Sequence, residues 1–255
     1  MALLLPIKPA PAFLGAVIGA AVFVLLNVLL HSLLPLLLSY LVVVLIGYIV
    51  CAATVGDSAG EFFRGLLVGV NSAVNWVLAS ALFGPVFAII VSGLAFLSSI
   101  GALSKSTLYQ GVLGYLNWLL PASWPIVALG FSFFLLCGLG ALSLGLAGAV
   151  YFKIKRVALE WKTGTLFTHG GWISNLNPID TAFNMGNFAF VDSASLVMHF
   201  EHESGHTLNL AAFGSVFHLL GALDENVLRG INALSERLAE SHVPTSSRPQ
   251  LGMWV

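Results

Sequence analysis

Charge is scarce in this chain. Lys, Arg, Asp and Glu make up 8% of its 255 residues, where a soluble domain carries about 25%. The scarcity is uneven. From Met1 to Phe152 the only charged residues are Lys8, Asp57, Glu61, Arg64 and Lys105. The formal net charge of −1 leaves no basic surplus to attract a phosphate backbone, so nucleic acid is not expected as a partner. Cysteine is almost absent. Cys51 and Cys137 both sit in apolar runs, where they read as small buried hydrophobes rather than a disulfide or a thiolate metal site. A transporter or channel would place charges within its spans, and this chain has almost none there.

What the first part has instead is apolar length. A spanning helix needs about 20 mostly apolar residues. Segments 13–30 and 33–54 qualify, and the first is too long, and too quickly followed by another, for a cleaved signal peptide. Pro35 falls in the first turn of the second, where proline is tolerated. Gly84-Pro85 divides the stretch 62–100 into a helical hairpin. Segment 104–123, with Tyr109, Tyr115, Trp118 and Trp124 in or beside it, suits an interfacial or re-entrant helix. The last span covers 125–151, where glycines from Gly138 to Gly148 offer close helix packing. The expected fold is mainly α: a multi-pass bundle of about five transmembrane helices (four to six) over 1–152, a small α+β domain over 153–243, and a tail over 244–255. Lys153, Lys155 and Arg156 favour a cytoplasmic C-terminal region. Lys8 favours a cytoplasmic N-terminus as well, and an odd number of spans cannot satisfy both.

Beyond Lys153 the pattern changes, and six of the seven histidines lie there. Residues 166–173 read as a short strand with a glycine turn, 175–180 as a turn, and 187–191 as a second strand. Asp192 and Ser193 offer N-cap chemistry for a helix over 195–212, with Gly214 near its end. That helix carries His199 and the motif His202-Glu203-Ser204-Gly205-His206. Residues four apart share a helical face, so His202 and His206 can direct imidazole nitrogens at one zinc ion. Glu203 beside them can act as the base for a water on that ion. A catalytic zinc usually takes a third protein ligand. Glu236 is preferred, on a helix that Asp224 can cap over 225–240, with Glu240 on the same face as a partner for a ligand histidine. His218, Asp224 and His242 are the alternatives, and His199 reads as a structural histidine.

These residues resemble gluzincin membrane peptidases, specifically the family of CAAX prenyl-protein peptidases and bacterial heat-shock membrane peptidases. The matching segments are His202–His206, Glu236-Arg237-Leu238-Ala239-Glu240, and Ala182-Phe183-Asn184 followed by the strand at 187–191. Glu240 stands where that family has Asp. The resemblance implies a zincin-like domain on an integral membrane protein of the bacterial inner membrane. It also implies an edge strand, with Asn187, Phe188 and Ala189, that holds an extended peptide.

The leading expectation is therefore a zinc-dependent membrane endopeptidase acting on membrane-associated proteins or peptides. Its catalytic base would be Glu203 and its ligands His202, His206 and Glu236. The alternative is a non-catalytic membrane subunit of a larger complex with a structural or vestigial zinc site. A fourth protein ligand, His199 or His218, would favour it. The tail after Pro244 reads as loosely held or as a partner-binding end.

Overall fold

The computed structural model describes residues 8–103, 107–143, 154–170, 182–191, 196–242 and 251–254. Three long helices come first: α1 (Pro9–Leu30), α2 (Leu33–Ala53) and α3 (Ser58–Phe83). Proline in the first turn starts α1, and left-handed His31 ends it. Gly84, with φ 89°, ends α3, and α4 (Pro85–Leu103) packs back against it as the expected hairpin. α5 (Thr107–Leu116) has 10 residues, about 15 Å of helix and too short to span. α6 is Trp124–Ser143.

Small residues set the packing of α1 on α3. A methyl group at Gly15, Gly19, Gly65 or Gly69 would run into the other helix's backbone, at Phe62, Leu66, Ala12 and Ala16. Both helices thus use a small-xxx-small spacing, which lets backbones approach closely. The expected packing glycines at 138–148 lie outside the residues whose side chains are described.

The five-stranded sheet has the order β3-β4-β2-β1-β5. Its strands are β1 (Ile154–Glu160), β2 (Thr165–Gly170), β3 (Ala182–Met185), β4 (Phe188–Val191) and β5 (Leu251–Trp254). All pairs are antiparallel except β2 with β4. β5 comes from the tail, which was expected to be loosely held; its backbone pairs with β1 through Ala158–Trp254 and Leu159–Met253. The turn at 175–180 and the caps Asp192 and Ser193 lie outside the described residues.

The motif helix, α7 (Leu196–Leu223), runs beyond its expected end and breaks at Gly214, with φ 81° and ψ 174°. A π-helical turn (Asp224–Arg229) and a 3-10 turn (Gly230–Asn232) lead to α8 (Leu234–His242). Among the described residues four segments are long and apolar enough to cross a membrane: α1, α2, α3 and Phe200–Asn232. The last of these contains the metal motif itself, although the last span was expected at 125–151. The correction has a clear cause: the motif's polar residues mask an apolar helix that extends well past them. α4 and α6 are shorter apolar helices. Residues such as Leu34, Val42, Ile46 and Ile49 on α2 are exposed, as a lipid-facing surface requires.

One apolar core joins these parts. Phe23, Tyr40, Val44, Leu67 and Val74 pack in the same cluster as Leu208, Phe213, Phe217, Leu234 and Leu238. The composition boundary near Lys153 is therefore not a packing boundary: α7 and α8 are seated on the apolar helices.

Candidate metal centre

Residues 202 and 206 lie one turn apart on the first half of α7, and their Nε2 atoms are 3.1 Å apart. α8 brings the third group. Glu236 Oε2 is 2.8 Å from His202 Nε2, and Oε1 is 3.2 Å from His206 Nε2. The ligand atoms of His202, His206 and Glu236 all lie within 4.8 Å of one another, and the three could hold a metal ion. Ligands at the usual zinc distances sit about 3.3 Å apart around a tetrahedral ion, so the donor set and its spacing fit one. Burial disfavours a charged Glu236, but the adjacent His206 and His202 outweigh it and hold the carboxyl well below the usual range.

A glycine inside the motif makes this approach possible. A methyl group at Gly205 would overlap the Ala239 carbonyl of α8. With any larger residue α8 would stand off, and Glu236 with it. On the other side of the motif, Thr207 ties α7 to the sheet. Its hydroxyl donates to Gly186 O (2.7 Å) and accepts from Thr165 Oγ1 (2.8 Å). That chain continues through Thr163 Oγ1, 2.9 Å from Thr165 Oγ1, to the buried Glu160 carboxylate (2.6 Å). Asn184 Nδ2 donates to Glu203 O (2.9 Å) and to Thr207 Oγ1 (3.1 Å), so the motif backbone is held against β3. Sequence reasoning missed Thr165, Gly205 and Thr207, because their roles depend on partners far along the chain.

The three groups face a cavity of about 350 Å³. Glu203 is buried on the same wall. Phe133, Phe183, Met185 and Phe217 make much of the remainder apolar. Glu240 reaches to 3.9 Å from His202 Nδ1 with its Oε1, beside the imidazole but beyond hydrogen-bonding distance.

No family model, curated protein or solved structure matches this chain.

The other sequence candidates fall elsewhere. His218 follows the Gly214 break, lines the cavity, and donates from Nε2 to Asn184 O at 3.1 Å. It is outside the three-ligand group. Asp224 is also outside it, bound to Arg229 and Tyr48. The side chains of His199 and His242 lie outside the described residues.

The expected peptide-binding residues need correction. Asn187, Phe188 and Ala189 are buried, and β4 is an inner strand between β3 and β2. Asn187 sits in the β3–β4 turn and donates to Gly114 O (3.1 Å) and Gly164 O (3.0 Å). Among the described residues the outermost strands are β3 and β5, and Ala182, Phe183, Asn184 and Met185 of β3 line the cavity. Sequence alternation identifies strands but does not say which is outermost.

Proposed function

We propose that this chain is a zinc-dependent membrane endopeptidase. The observation that carries the reading is the convergence of His202, His206 and Glu236 on one point of the cavity wall where Glu203 also lies. Two imidazoles and one carboxylate are a catalytic zinc donor set, with a coordination position left for water or substrate. Among the described residues no fourth protein ligand joins them. His218, which lines the same cavity, commits its Nε2–H to Asn184 O.

Zinc held there would polarise a peptide carbonyl and acidify a water. Glu203, next to the ligand His202, takes the proton from the attacking water and returns it to the leaving amine. β3, outermost among the described strands on its side of the sheet and lining the cavity, is the strand beside which an extended chain would lie, and the apolar walls of the cavity favour apolar side chains near the scissile bond. The abundance of lipid-facing helices makes membrane-associated proteins or peptides the natural substrates. The same features support the resemblance to gluzincin membrane peptidases.

The test is Glu203→Gln, assayed in proteoliposomes with a quenched-fluorescent library of apolar peptides. Zinc content should match wild type while hydrolysis falls about 10²–10⁴-fold, the usual contribution of a general base. A variant that cleaves at the wild-type rate overturns the mechanism.

A further inference from the structure

Asp224 is buried, at 2% exposure, and is not among the three metal-binding groups. Its carboxylate instead accepts from four donors. Tyr48 of α2 gives its hydroxyl to Oδ2 at 2.6 Å. Arg229 forks onto both oxygens, Nε to Oδ1 at 2.6 Å and Nη2 to Oδ2 at 2.6 Å. The fourth donor is the backbone N–H of Leu234, 3.1 Å from Oδ2. Leu234 is the first residue of α8, so Asp224 satisfies an N–H that the helix itself cannot. The π-helical turn between Asp224 and Arg229 has a physical use here. Its i to i+5 spacing brings the guanidinium back over the carboxylate.

We propose that Asp224 is a positioning residue for the metal centre: it locks the start of α8 to the apolar helix α2 and so fixes where Glu236 stands. α8 is held along its length. Ala239 rests on Gly205, Asn209 Nδ2 donates to Ser235 O at 3.0 Å, and Leu234 is fixed by Asp224 five residues before Ala239, about 7.5 Å along the axis. Glu236 lies among these contacts. The Asp224 contact is the hydrogen-bonded one that runs on through Tyr48 to α2. A buried carboxylate is costly unless fully bonded, and this one has four donors. Its arrangement is therefore a single well-defined state. The inference rests on Glu236 being a metal ligand, as read above.

The test compares full-length protein in nanodiscs, as wild type, Tyr48→Phe and Asp224→Asn. Zinc affinity is measured by competition with a chromophoric chelator, and the visible absorption of bound Co²⁺ reports ligand geometry. Tyr48→Phe keeps the ring that packs on Phe217, 5.0 Å between centroids, and removes only the hydroxyl. It should weaken zinc binding roughly 3–10-fold, and Asp224→Asn about 10–100-fold, the range typical of groups that support ligands. Both should shift the Co²⁺ spectrum in protein that remains folded. Wild-type affinity and spectrum in Tyr48→Phe overturn the proposal, even if Asp224→Asn does not fold. So does abolition of metal binding by Asp224→Asn to the level of Glu236→Ala, which would make Asp224 a ligand. A wild type without zinc affinity would sink the peptidase reading itself. A wild type that binds zinc, alongside variants that bind it equally, sinks only the positioning role.

Discussion

Gly205 shows how a single hydrogen atom in place of a side chain decides a site. Helix propensity alone favours alanine there by about 1 kcal/mol. The overlap with Ala239 opposes it, and tight overpacking of this kind costs roughly 1–3 kcal/mol. The steric term dominates. Gly205→Ala is therefore expected to displace α8 and weaken zinc binding by about 10-fold, measured by chelator competition. An affinity equal to wild type would mean that α8 can shift without moving Glu236. The pairing of His202 and His206 was legible in the sequence because helical periodicity alone puts them on one face. Glu236 was preferred as a carboxylate on a later helix that Asp224 can cap, ahead of His218, Asp224 and His242. Gly205 and Thr207 were illegible because nothing local distinguishes a glycine that receives another helix, or a threonine that bonds a distant turn, from any other.

Helix α7 is broken rather than continuous, and the break needs its own partners. Around Gly214 the carbonyls of Ala211 and Phe213 accept from Asn71 Nδ2 (3.1 Å) and Tyr40 Oη (3.4 Å), while Ser215 N donates to Ala122 O (2.9 Å). These partners come from α2, α3 and the segment after α5. Asn71→Leu keeps the γ-branched shape but leaves the Ala211 carbonyl without its donor. It should cost about 1–3 kcal/mol, read as a lower unfolding midpoint in detergent; an unchanged midpoint would mean the carbonyl finds another partner. Individual helices were readable from apolar length, and the α3–α4 hairpin from Gly84-Pro85. The continuation of α7 past Gly214 was not, since a glycine of positive φ usually ends a helix. The swap of edge strand from β4 to β3 has the same character. Both are short and aromatic, and order within a sheet is a tertiary property.

At the scale of the whole molecule, composition gave two regions, yet the largest apolar cluster draws residues from both. The apolar region was legible because lipid demands long uncharged helices. The seating of α7 and α8 on it was not, because the polar motif conceals the apolar faces of those helices. A ligand that binds only the folded state stabilises it by mass action, about 2.7 kcal/mol at 100 times Kd. Added zinc should thus raise the unfolding temperature of wild type and leave Glu236→Ala unchanged. A rise in both would place the stabilising ion elsewhere.

Phe217 and Leu234 share a cluster with Phe23 and Leu67, so whatever loosens the lipid-facing helices is expected to disturb the placing of His202, His206 and Glu236 as well. Solubilisation becomes a stress test. If the site takes up zinc as proposed, the ratio of metal to polypeptide after extraction would serve as a gauge of bundle integrity, and detergents could be ranked by it before any substrate is in hand.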